Sequence, residues 1–215
     1  MKEYRLYLLD FDGTLADSAR SLVNVYRAGF EEIDFPYDPE MASVYMHMSL
    51  GQTAKMAGIP EKEYVRFALK INDALDYPEN LKAIDFFPES KEVMEILHRA
   101  GKKLSIVSGN TERHIRLILE AQGIENLFGT VVGSVVDRRP KPYPDPILAA
   151  LAIYPEIKKE EVVYIGDSLQ DLECAKAAGI DGILIDRNGV HPEKKAVAIS
   201  SLRELLSPLK KTIDK

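Results

Sequence analysis

At 215 residues, 46% apolar and 29% charged, the chain is sized for one large domain or a core with a small companion. No apolar run approaches the roughly 18 residues of a membrane span, and a formal charge of −6 gives no basic footprint for nucleic acid. The single cysteine excludes an internal disulfide, and aspartates cut the apolar start MKEYRLYLLDFDG before any cleavage site, so a reducing, cytoplasmic location is expected.

In chain order, the first buried strand is expected at 4–9, followed by nearly seventy residues that one crossover helix does not need. Helical patterns fall there at 19–31, 41–46, 52–57 and 61–76, with no convincing strand. Four further strands follow at 103–107, 130–133, 162–165 and 182–185, each a continuous apolar run, as when helices cover both faces of a parallel sheet. Between them lie TERHIRLILEAQGI, with Ile115, Leu117, Ile118 and Leu119 and a stop at Gly123, and LQDLECAKAAGI, closed by Gly179. Cys174 lies in this second helix and reads as inert core. The pattern is α/β, a Rossmann-like parallel sheet of about five strands flanked by helices. The insertion reads either as extra helices packed on the core or as a helical cap at 17–85 over a core of 1–16 and 86–215. Its departure from the end of the first strand favours the cap, because ligands of open α/β sheets bind at that end. Hinges are expected near 15–18 and 85–88.

The first strand ends in Asp10-Phe11-Asp12-Gly13-Thr14-Leu15. Two carboxylates two apart on a strand point the same way, and like charges that close are costly unless a cation or shared proton offsets them. A capping loop would also use Asp and Thr, yet four fixed residues at usage near 5% arise by chance in such a chain roughly once in a thousand. Later strands end in Ser108-Gly109-Asn110 and in Gly166-Asp167-Ser168-Leu169-Gln170-Asp171, and Lys141 stands between Pro140 and Pro142. Taken singly, Asp167 and Asp171 fit an N-cap and a first-turn acid, and Lys141 a surface lysine.

Together, DFDGTLADS and the three later motifs in order resemble the haloacid dehalogenase superfamily of phosphohydrolases over essentially the whole chain. The resemblance implies that Asp10 is a nucleophile forming an aspartyl-phosphate. Asp12 would protonate the leaving oxygen, later activate water, and lend its backbone carbonyl to a metal. Haloalkanoic acid dehalogenases lack a second aspartate there, so Asp12 favours phosphoryl chemistry. Asp167 would be a direct metal ligand and Asp171, one helical turn on, a ligand through water or an orienting group. With Asp10 and Asp12 they form an all-oxygen set that suits Mg²⁺. Lys141 would compensate charge at Asp10 and the phosphoryl group. Ser108 would donate to a phosphoryl oxygen, and the N–H groups of Gly109 and Asn110 would open a helix that attracts anions. The family often has asparagine where Gly109 stands, so no side-chain contact is assigned there.

Length and cap position are similar to the branch holding phosphoglycolate phosphatases and β-phosphoglucomutase, which implies a small phosphorylated metabolite as substrate. Gly51, in MHMSLGQT, resembles the glycine of the branch's cap loop. His47, Ser49, Gln52 and Lys55 nearby would then read the leaving group, although a plain helix–helix turn accounts for them equally. His98, His114 and His191 are expected in solvent, as are Arg138 and Arg139, and no GxxxxGK[ST] supports a P-loop. A phosphosugar mutase would use the same residues. A phosphonatase would need a cap lysine, with Lys55, Lys62 and Lys70 available. A regulatory protein without turnover would keep only the fold.

Overall fold

The computed structural model describes residues 2–46 and 48–209, apart from the side chains of 19, 20 and 82. His47 lies outside the described residues. The chain runs β1 (Leu6–Leu9), β2 (Ala16–Asp17), α1 (Ala19–Glu32), α2 (Ala42–Tyr45), α3 (Leu50–Ala57), α4 (Glu61–Leu75), α5 (Pro78–Lys82) and β3 (Asp85–Phe86). It continues through α6 (Ser90–Arg99), β4 (Lys103–Val107), α7 (Glu112–Ala121), β5 (Thr130–Val132), α8 (Asp145–Leu151), β6 (Val162–Gly166), α9 (Leu169–Ala178), β7 (Asp181–Ile185) and β8 (Ala198–Ile199). Contacts divide it into two compact units, Met1–Ala16 with Phe86–Lys215, and Asp17–Asp85.

The first unit holds a parallel sheet in the order β5-β4-β1-β6-β7-β8. Its sixth strand escapes sequence reading because only two residues pair with β7, too few for any periodicity. Leu6 and Leu8 of β1 pack with Ile147 and Ala150 of α8 and with Cys174, Ala175 and Ala178 of α9. The alternate residues Tyr7 and Leu9 are equally buried, so both faces of β1 are covered and the strand is apolar throughout.

Register positions the site. Leu9 is level with Ile106 of β4 on one side and Ile165 of β6 on the other. The chain therefore leaves three neighbouring strands at one edge, delivering Asp10, Ser108 and Asp167 to the same end of the sheet.

The second unit is helical, with Phe30 at its centre. The Phe30 ring lies 5.1 Å from Tyr37 and 5.2 Å from Phe67, centroid to centroid. Gly29 lets α1 and α4 approach closely, since a Cβ there would come within 2.6 Å of Ile71 Cδ1. The short α5, begun by Pro78 at its first turn, was not expected from the pattern. Among the described residues, no helix is long and apolar enough to cross a membrane.

Candidate active site

The end of β1 is shaped by what stands across from it. Gly13 turns the chain at φ +76°, and a Cβ there would fall 2.0 Å from Asp167 Oδ2. Gly166 likewise has no room for a side chain, because its Cβ would lie 2.3 Å from the Asp171 carboxyl carbon. The two glycines are the space into which the two carboxylates fit. Asp10, still tied to the sheet by its N–H to Ile165 O at 2.8 Å, is buried between them and Lys141.

Lys141 Nζ lies 2.9 Å from Asp10 Oδ2 and 2.7 Å from Asp171 Oδ1. The remaining donors around Asp171 come from its own helix start and from β6. Ser168 N and Oγ donate to Oδ2 at 3.0 and 2.6 Å, and the Tyr164 hydroxyl lies 3.1 Å from Oδ1. Both Asp171 oxygens are thus engaged by the protein, Oδ1 by Lys141 and Tyr164 and Oδ2 by Ser168. Burial would raise the Asp171 pKa, but Lys141 and Ser168 outweigh burial and hold it below the usual carboxylate range. Lys141 stays charged: burial opposes its charge, and the two carboxylates more than restore it.

Asp10 and Asp167 behave oppositely. Burial pushes Asp10 up to about 7, against the pull of Lys141. Burial, then the charges of Asp10 and Asp171, push Asp167 up to about 8. One ligand atom from each of Asp10, Asp167 and Asp171 lies within 4.8 Å of the others. With Asp12 the edge carries four carboxylates to one ammonium, and Asp10 Oδ1 and Asp12 Oδ1 are buried with no hydrogen-bond partner among the described residues. Such a set fits a hard divalent cation.

A family model described as haloacid dehalogenase-like hydrolase matches residues 7–185. The chain belongs to this family. The hydrolase is 28% identical over 192 residues to the phosphoglycolate phosphatase of Pasteurella multocida, covering 83% of its own chain and 84% of that one. It is 29% identical over 189 residues to the phosphoglycolate phosphatase of Haemophilus influenzae, covering 82% and 83%. A crystal structure described as a haloacid dehalogenase-like hydrolase, from Bacteroides fragilis, matches with TM-score 0.85 at 26% identity, over 94% of this chain and 100% of that one. A haloacid dehalogenase-like family protein of Streptococcus pneumoniae matches with TM-score 0.82 at 20% identity, over 97% and 100%, a likeness of fold alone.

Within the hydrolase the predicted residues Asp10, Lys141, Asp167 and Asp171 converge as described, and Ser108 is buried at the end of β4. Gly109 and Asn110 do not open a helix. The helix starts at Glu112, capped by Thr111 Oγ1, and the Asn110 N–H is already given to Ser108 Oγ at 3.1 Å. Asn110 instead reaches Asp12, with Nδ2 3.3 Å from Oδ2. His114 is not in solvent either: it is buried on α7, and burial holds its pKa below the usual imidazole value. His98 is exposed. Arg139 pairs with Asp145, and Arg138 donates to Gly133 O at 2.9 Å.

Tyr164 is the residue that sequence reading missed. Its hydroxyl joins Asp171 to Val107 O, at 2.8 Å, on the strand that ends in Ser108. The available signal was a tyrosine in an otherwise aliphatic buried strand, where a phenol must find a partner.

In the second unit, Gln52 is committed to a capping box with Ser49, its Oε1 accepting Ser49 N at 2.8 Å. Gly51 has no packing reason to be glycine, because a Cβ there would meet only Tyr64 Oη at 3.9 Å. The lysines do not suit a Schiff base. Lys55 and Lys62 are exposed, and the Tyr77 hydroxyl raises the pKa of Lys70 where an amine nucleophile needs it lowered.

Proposed function

We propose that this hydrolase, a phosphatase of its family, cleaves a small phosphate ester with Mg²⁺ through an aspartyl-phosphate at Asp10. Phosphoglycolate is the first candidate substrate, from the curated relatives. The observation that carries the reading is the group of buried Asp10 and Asp171 with half-buried Lys141 and Asp167, in which the Asp10 carboxylate is paired with an ammonium beside two further carboxylates.

In this reading, Lys141 holds Asp10 through Oδ2 and neutralises part of the charge that would repel a phosphate dianion. The Asp10 carboxylate attacks phosphorus, and Asp12 gives its proton to the departing oxygen. Asp12 then takes a proton from water, whose oxygen displaces Asp10 and releases inorganic phosphate. Asp10, Asp167 and the Asp12 carbonyl are the proposed metal ligands, with Asp171 orienting. When bound, the cation supplies charge neutralisation at the phosphoryl oxygens. Ser108 donates to one of those oxygens, Asn110 orients Asp12, and Gly109 leaves space. The unit Asp17–Asp85 is the proposed cap that selects the leaving group, with Gly51 and Gln52 in the first turn of α3 rather than on a loop. A cytoplasmic setting suits the buried free thiol of Cys174.

Phosphate release from phosphoglycolate, hexose phosphates, nucleoside monophosphates and pyrophosphate, with and without Mg²⁺, tests this. Metal-dependent release selective for one ester is the expected result. Isomerised sugar phosphate without free phosphate would turn the reading to a mutase.

A second expectation follows from the raised carboxyl groups. Asp10 and Asp167 hold protons more tightly folded than unfolded, so the stability they add is present at low pH and lost as pH rises through about 7 and 8. The metal-free protein should melt progressively lower from roughly pH 5 to pH 8.5, and Mg²⁺ should raise its Tm more at the alkaline end. A Mg²⁺ effect independent of pH, read by thermal denaturation, would count against these carboxyl groups as the ligands.

A further inference from the structure

The loop that carries Asp12 is gripped by a charged group that the proposed mechanism leaves unused. Arg187 lies just beyond β7, on a turn fixed by the Asp186 carboxylate, which accepts Val190 N and His191 N at 2.9 Å each. Its Nη2 donates to Thr14 O at 3.0 Å and lies 3.1 Å from Glu89 Oε1, while its guanidinium carbon stands 3.8 Å over the Phe87 ring. Both side chains are largely withdrawn from water, Arg187 18% exposed and Glu89 10%. A guanidinium withdrawn from water against a carbonyl, a carboxylate and a ring face is costly to place and sensitive to the loss of such contacts.

What it holds is specific. Thr14 is fully buried, two residues past Asp12. Leu15 O, next along, accepts Phe87 N at 3.1 Å and Ser90 Oγ at 2.9 Å, and Gly13 N donates to Ala16 O at 2.8 Å. The turn after β1 is thereby fastened to 87–90 by two hydrogen bonds, and Arg187 closes the third side by touching Thr14, Phe87 and Glu89 at once.

We infer that Arg187, charge-balanced by Glu89, is a positioning residue for Asp12, fixing where its carboxyl stands relative to the departing oxygen. The inference rests on the acid/base role proposed for Asp12. Displacement of a catalytic group by about 1 Å costs up to roughly a hundredfold in rate. The cost of a displaced acid falls on substrates that need a proton on the leaving oxygen, such as alkyl phosphates. An aryl phosphate that leaves as a stabilised phenolate needs little help.

The test compares kcat/KM for an alkyl and an aryl phosphate in three variants: Arg187→Met, the double change Arg187→Met with Glu89→Gln, and Asp12→Asn. The double change removes both charges, so it stays informative if Arg187→Met alone leaves Glu89 too costly to bury. kcat/KM reports the steps up to departure of the leaving group, whatever happens to the phosphoenzyme afterwards. The expected result is a fall of roughly ten- to a hundredfold for the alkyl ester and under about threefold for the aryl ester, with Asp12→Asn showing the same split more strongly. A split in Asp12→Asn without one in the Arg187 variants, whether both esters fall equally or neither falls, overturns the inference alone. No split in Asp12→Asn overturns the reading of Asp12 and the inference with it.

Discussion

Asp10→Asn should lower kcat by at least roughly ten-thousandfold while leaving the fold intact, because an amide is a poor nucleophile and no neighbouring group substitutes for it. The amide matches the carboxylate in shape and keeps an oxygen for Lys141 Nζ, which stands 2.9 Å from Oδ2. Burial raises the Asp10 pKa to about 7, so the site resists a charge at this position. The variant should therefore melt higher than the unaltered protein in metal-free buffer near pH 8, where the carboxylate is ionised at a cost. The pairing of lost activity with gained stability is diagnostic: an inactive protein that also melts lower would have lost structure rather than its nucleophile. Circular dichroism and thermal melts beside the phosphate assay give both readings from one preparation, and substantial residual turnover would sink the assigned mechanism.

Lys141→Met should be the most damaging single change for stability at this site. The methionine fills much of the stem's volume but leaves Asp10 and Asp171 buried without their shared cation. Removing one partner of a buried ion pair costs about 3–5 kcal/mol, far more than an exposed pair contributes. The loss should shrink toward low pH, where the orphaned carboxyl groups take up protons, and grow toward roughly pH 8. Activity should fall by roughly a hundred- to a thousandfold, with the transferring phosphoryl charge no longer offset. Urea denaturation at two pH values checks the stability claim, and a cost equal at both would mean that Lys141 is held by packing rather than by charge.

Much of this was legible in the sequence because it resides in strand ends. Apolar runs located β1, β4, β5, β6 and β7, and the polar residues just past them had to emerge at one edge once the sheet was parallel. Asp10, Ser108 and Asp167 were placed that way, whereas Lys141, nine residues past β5, and Asp171, on α9, stood out only through the resemblance to the family's motifs. Most of the misses depend on a contact distant in sequence. Tyr164 looks like one more apolar strand residue until Asp171 and Val107 O meet its hydroxyl. His114 looks like a polar helix residue until α7 buries it. Asn110 was read for its N–H, which Ser108 takes, while its side chain goes to Asp12. The strand Ala198–Ile199 exists because β7 offers an edge, and nothing in two residues announces it.

The lone thiol gives the molecule a built-in reporter. Cys174 is fully buried, donates to Tyr143 O at 3.1 Å, and burial pushes its pKa up to about 12. In the closed core it is therefore inert toward thiol reagents, which are attacked by the thiolate. Tyr143 is two residues beyond Lys141, so the hydrogen bond ties the thiol to the segment that brings the ammonium to Asp10. With one cysteine in the chain, a labelling trace has a single source, and its rate reports openings that expose α9's buried face. Opening of the core beside the charge cluster can thus be followed in the unaltered protein, without a probe introduced by mutation.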